Sequence, residues 1–161
     1  NSLLKDPENG MAHYYYGRFL YKLSEFSTAA IHLSKAIQFL PTDAWIHYDV
    51  GRAFHQTNNL EKAMNYYKSS WDLSPTSIAA NAIGAIHMQQ GQFQKARSYF
   101  DASIERDPEN IEAKVNIAIL TIQTGSVSEG ERALKKLLKS YPNASSAQNA
   151  ARAYNISQTS P

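Results

Sequence analysis

Residues 44–75, AWIHYDVGRAFHQTNNLEKAMNYYKSSWDLSP, decide the fold: two apolar stripes at helical spacing flank the short polar stretch Thr57-Asn58-Asn59. In the first stripe, His47, Val50, Gly51 and Phe54 recur every three or four residues; in the second, Leu60, Ala63 and Tyr67 do the same. Such spacing puts each set on one face of a helix. Pro75 then blocks continuation, because the residue before a proline is pushed out of the helical region. The segment therefore reads helix, turn, helix, stop.

Working outward, the same segment recurs. Prolines after helix-like stretches stand at positions 7, 41, 75, 108 and 142, in steps of 34, 34, 33 and 34. In that register a glycine returns as Gly17, Gly51 and Gly84, with Ala118 in the fourth unit, and a second small residue as Ala29, Ala63, Ala96 and Gly130. An apolar position between them is Phe26, Leu60, Phe93 and Val127. A fixed period near 34 residues is the mark of a stacked repeat. Helix axes approach to about 8–10 Å only where side chains are small, so the glycine and alanine mark the crossing of two antiparallel helices. Larger residues fill the rest as a core stripe: Tyr16, Val50, Ile83 and Ile117 beside the glycine, then Leu33, Tyr67, Phe100 and Leu134.

The helix ends fit this frame. Gly91 and Gly125 fall in the turn inside a hairpin, where a left-handed residue is favoured, and Ser24 and Asn58 stand at the equivalent places. Asn58 with Glu61, and Ser126 with Glu129, have the spacing of a capping box.

This pattern resembles the tetratricopeptide repeat family over Gly10 to about Ala144. The resemblance implies an all-α fold, a right-handed superhelical solenoid of antiparallel helix hairpins, with repeats at 10–43, 44–76, 77–110 and 111–144. Residues 1–9 read as the end of a preceding repeat helix, 145–155 as a capping helix and 156–161 as a frayed tail. The start inside a helix implies a longer array or a processed precursor. The fourth unit is irregular: Leu137 stands where Ala36, Ser70 and Ser103 occupy the others.

A second stripe lies about 130° around the first helix of each unit from the core stripe. The resemblance puts it on the concave surface where peptides are held. It reads Met11, Tyr14, Arg18 and Tyr21, then Trp45, Tyr48, Arg52 and His55, then Ile78, Asn81, Ala85 and Met88, and last Glu112, Val115, Ile119 and Ile122. One half is aromatic and basic, the other apolar. Large aromatics and arginines carry much of the energy of protein interfaces. The candidate partner-binding groove is therefore Tyr14, Arg18, Tyr21, Trp45, Tyr48, Arg52, His55, Asn81, Met88 and Ile119. Arg18 and Arg52 are expected to pair with a partner's carboxylates or to stack on neighbouring tyrosines. The bland alternative is that Tyr14, Trp45 and Tyr48 fill the seam between hairpins. The lysines and asparagines by which chaperone-binding members clamp a C-terminal carboxylate are not reproduced, which counts against a chaperone-tail receptor.

Other chemistries find little support. A net charge of +2, with Lys and Arg scattered, argues against nucleic acid. The longest apolar stretch, Val115 to Ile122, is far shorter than the roughly 20 residues that span a bilayer. With no cysteine, disulfide and metal-thiolate frameworks are excluded, and no histidine pair has the i, i+4 spacing of two ligands on one helix face. No metal and no cofactor is expected. His13 and His47 read as packing residues, and Asp49, Glu61 and Glu112 as solvated faces rather than an acid/base pair. No serine sits in a strand-to-helix elbow and no glycine-rich phosphate loop occurs, so an enzyme is not expected.

Three functions follow: a protein-interaction scaffold holding a peptide or protein segment, the recognition domain of a larger enzyme or secretion protein, and self-association through exposed hairpin ends. Richness in Asn, Gln, Ser and Tyr points to bacterial assembly or secretion complexes, with the bacterial periplasm favoured over the cytoplasm.

Overall fold

The structure, a computed structural model, describes residues 7–156. Nine helices and no strand lie among them: α1 (Pro7–Lys22), α2 (Phe26–Phe39), α3 (Ala44–Gln56), α4 (Leu60–Leu73), α5 (Ser77–Gln89), α6 (Phe93–Arg106), α7 (Ile111–Gln123), α8 (Val127–Ser140) and α9 (Ser145–Ala153). They group into two units, Asn1–Pro75 and Thr76–Pro161. In the first, α1 pairs with α2 and α3 with α4, and α2 packs on α3. In the second, α5 pairs with α6 and α7 with α8; α6 packs on α7, and α9 closes against α7 and α8. The all-α hairpin architecture expected from the repeat is the one present.

The small residues do what their spacing implies. A β-carbon added at Gly51 would meet Tyr67 Cδ1 at 2.6 Å, and one at Gly84 would meet Phe100 Cδ1 at 2.7 Å. The aromatic ring of the second helix thus lies directly on the glycine of the first, and only a bare backbone admits it.

The four turns inside the hairpins share one geometry. Ser24, Asn58, Gly91 and Gly125 have φ of 63°, 58°, 71° and 102°. The following N–H reaches back to the helix that is ending: Glu25 to Leu20 O, Asn59 to Phe54 O, Gln92 to His87 O and Ser126 to Thr121 O, at 2.8–3.0 Å. This is the Schellman pattern, which satisfies carbonyls that the helix leaves unpaired. The capping boxes are placed differently from the sequence reading. Asn58 supplies the left-handed turn, and its neighbour Asn59 caps α4 by accepting from Lys62 N at 3.3 Å. Ser126 opens α8 without a side-chain cap bond.

Each unit has its own core. Leu33, Ile46 and Val50 are fully buried in the first, as are Phe100 and Leu134 in the second. Each such side chain contributes about 1.5–3 kcal/mol by leaving water. Tyr16 departs from the core stripe to which it was assigned: it is 49% exposed, whereas Val50, at the same register in the same unit, is fully buried. The cause is the neighbour. Helix α2 covers that face of α3, and no helix among the described residues precedes α1 to cover its own.

The edges differ in detail from expectation. Helix α1 takes in Pro7 to Asn9, which were placed in an earlier helix, so Pro7 is the first helical residue, where its missing N–H is harmless. Residues 1–6 and 157–161 lie outside the described residues. Ile156, assigned to a frayed tail, packs on the second unit's core and donates its N–H to Ala151 O at 2.8 Å.

Candidate functional site

In the first unit, α1 carries Tyr14, Arg18 and Tyr21, and α3 carries Trp45, Tyr48, Arg52 and His55. Steps of three and four residues line each set along one helix face. The two faces meet around a residue that the sequence reading assigned to solvent: Asp49 is only 9% exposed. Its Oδ2 accepts from the Tyr14 hydroxyl at 3.1 Å and lies 3.7 Å from Arg18 Nε. Its Oδ1 accepts from Arg52 Nη1 at 3.2 Å. A carboxylate taken out of water needs such partners, and here one anion is shared by two cations and a phenol drawn from two hairpins. Asp49 is a correction to the solvated role given to it. Its spacing from Arg52, three residues on one helix, was a signal available in the sequence; the Tyr14 and Arg18 contacts cross between hairpins and left none.

The arginines also stack. The Arg52 guanidinium lies 4.4 Å from the Tyr21 ring centre and 5.9 Å from that of Tyr48, and Arg18 lies 5.5 Å from that of Tyr14. Of the two roles expected of these arginines, stacking is formed within the chain, and part of the pairing is with the chain's own Asp49. Burial works against the Arg52 charge, but Tyr21, Tyr48 and Asp49 outweigh it and hold the guanidinium above its usual range. Tyr14 is pushed up to about 12, first by burial and then by the Asp49 charge, so its hydroxyl stays a donor.

An aromatic group continues from this cluster. Trp45 stands edge-on to Tyr48, ring centres 6.4 Å apart, and is 56% exposed. Tyr48 lies 5.5 Å from Tyr67, whose buried hydroxyl is 3.4 Å from His55 Nδ1. Burial drives the Tyr67 phenol well above the ordinary tyrosine range. Seven of the ten expected groove residues are therefore brought together in one unit. They offer aromatic faces and charged N–H donors in a fixed arrangement, beside a cleft of about 360 Å³.

The remaining three lie in the second unit, set differently. Asn81 is 9% exposed, and its side-chain oxygen accepts from Asn116 Nδ2 at 2.9 Å. Met88 is half-buried against the group around Phe100, and Ile119 packs on the core below α9. His13 faces His32 across the first hairpin with Nδ1 atoms 3.0 Å apart, and His47 Nδ1 lies 2.9 Å from Asp43 O. Among the described residues, no three of His, Cys, Asp and Glu are grouped to hold a metal ion, and no helix is long and apolar enough to cross a membrane.

Comparison with known proteins agrees with this architecture. Three family models, each describing the tetratricopeptide repeat, match residues 1–44, 46–77 and 87–154. Among solved structures, a tetratricopeptide repeat protein from Parabacteroides merdae is similar at a TM-score of 0.80 and 20% identity, over 92% of this chain and 59% of that one. YrrB, described as a tetratricopeptide repeat protein with an unusual peptide-binding site, is similar at a TM-score of 0.69 and 15% identity, over 92% of this chain and 77% of that one. A protein O-mannosyl-transferase of Caenorhabditis elegans is 26% identical over 84 residues, which are 52% of this chain and 12% of the relative's length. With the hairpins, the crossing glycines and the family models in agreement, the chain belongs to the tetratricopeptide repeat family.

Proposed function

We propose that this chain is a protein-interaction scaffold, without catalysis of its own, that holds a peptide or protein segment against the aromatic and basic surface of α1 and α3. One observation carries the reading: Asp49 fixes Arg18, Arg52 and Tyr14 in place, and Trp45 stands 56% exposed beside them. Anchors held in advance lose little entropy on binding, and Trp, Tyr and Arg are the residue types that dominate interface energies. The peptide-binding site ascribed to YrrB, a chain of similar fold, supports the same use of this architecture. The richness in Asn, Gln, Ser and Tyr supports a place in a bacterial assembly or secretion complex. The test is capture of the native partner by the Trp45→Ala, Tyr48→Ala, Arg52→Ala triple variant. Capture should weaken at least about tenfold while the helical circular dichroism persists. Undiminished capture would remove the assignment.

The likeness to part of an O-mannosyl-transferase favours a second reading, in which this chain is the recognition domain of a larger enzyme whose catalytic part lies outside it. The residues flanking Asn1 and Pro161 in the full polypeptide decide between the two: a catalytic domain there supports this reading, and its absence removes it.

A further inference from the structure

The net charge of +2 hides a separation of sign along the chain. Residues 132–161 hold five cations, Arg132, Lys135, Lys136, Lys139 and Arg152, and no aspartate or glutamate, so they carry +5 and the first 131 residues carry −3. Four of the five lie on α8, and all four are exposed. At 3.6 residues per turn they fall within an arc of about 100° and span about 10 Å. One face of α8 is therefore a continuous basic stripe, while its opposite face buries Leu134 and Leu138.

Packing does not ask for this stripe. In the repeat register the same four positions of α6 read Ser98, Asp101, Ala102 and Glu105, a charge of −2 against +4 on α8. On α4 they hold one cation and one anion, Lys68 and Asp72, and on α2 the single cation Lys35. The helix dipole favours a cation in the last turn, which accounts for Lys139 alone. The stripe even weakens its own helix, because Arg132, Lys135, Lys136 and Lys139 make four like-charged pairs at spacings of three or four residues. None of the four forms an ion pair with a described residue.

We propose that the α8 stripe docks this chain on an anionic lipid surface, as a reversible contact made in the headgroup layer. It uses none of the residues of the partner surface on α1 and α3. A protein interface is centred on large apolar anchors, yet the exposed large hydrophobic side chain of α8 is Val127, at the helix's first residue. A nucleic-acid strand holds its phosphates at fixed spacing and adds stacking on aromatics, which this face lacks. Lipid headgroups move sideways to meet cations wherever they stand, and lysine, a compact charge without a fork, suits such a diffuse layer. With Leu134 and Leu138 buried, α8 has no apolar face left to insert, so the attachment is electrostatic.

The test is flotation of the intact chain with vesicles of phosphatidylcholine, with and without phosphatidylglycerol. The chain should partition onto the anionic vesicles at least about 100-fold more strongly, and raising the salt from about 0.05 M to about 0.5 M should release it. Lys135→Gln and Lys136→Gln should each weaken the partition about fivefold with helicity kept, and the double variant Lys135→Glu, Lys136→Glu should abolish it. Lys95→Gln makes the same change in net charge from an exposed position on α6 and should alter the partition less than about twofold. Equal partition onto both vesicles, or an equal loss in Lys95→Gln and Lys135→Gln, would overturn the inference. So would release from the vesicles by duplex DNA or by oligoglutamate at no higher concentration of negative charge, which would give the stripe to nucleic acid or to acidic protein instead.

Discussion

Asp49 orders the candidate surface, and its worth is measurable. Tyr14→Phe removes a neutral donor to a carboxylate and should cost about 1–2 kcal/mol; Asp49→Asn removes the charge that two arginines share and should cost about 1.5–3 kcal/mol. Because both act through one carboxylate, the double variant should cost less than the sum of the two. Urea unfolding of the four proteins checks this, and strict additivity would show that the hydroxyl and the carboxylate act separately. His32 supplies a prediction in pH. Burial first, then His13 and Lys35, lower its pKa from the ordinary value of 6.5. Folding therefore favours neutral His32, and the unfolded chain takes up the proton at higher pH. The stability this contributes is present above 6.5 and is lost as pH falls below it. His32→Gln should make the decline in unfolding free energy between about pH 7.5 and 5.5 shallower. An unchanged slope would clear His32 of any part in it.

At the scale of the element, the hairpins were legible because small residues and turns recur at fixed spacing, and because close packing and left-handed backbone admit few residue types. The test lies where the sequence departs from the rule. Ser24 holds φ of 63° where Gly91 and Gly125 stand in later hairpins. Ser24→Gly should raise stability by up to about 1 kcal/mol, read as a higher melting temperature, because a β-carbon in this region costs roughly 1–2 kcal/mol. Gly51→Ala should act in the opposite sense: a methyl 2.6 Å from Tyr67 Cδ1 forces a shift worth about 1–3 kcal/mol, more than alanine's better helix propensity returns. Less was legible at the helix starts. Asn58 and Asn59 are adjacent and chemically alike, and only the turn's geometry decides which bends the chain and which caps α4.

For the whole molecule, periodicity identified the family but could not say which stripe positions pack and which stay open. The ten stripe residues share one register, yet Asn81, Met88 and Ile119 are taken up by second-unit contacts while Trp45 remains exposed. Tyr16 was misread for the same reason, since the neighbouring helix and not the repeat position decides burial. Burial sorts the costs of truncation accordingly. Phe100→Ala, at 0% exposure, should cost about 3–5 kcal/mol, and Phe19→Ala, at 56%, less than about 1 kcal/mol by chemical denaturation. The central claim, that the α1 and α3 face holds the partner, is tested most directly by a photo-crosslinking residue placed at Trp45 on α3 or at Ile31 on α2, positions exposed to 56% and 57%. In the native cell, irradiation should join the partner to the chain from position 45 and not from position 31. Adducts from position 31 with none from position 45 would contradict it.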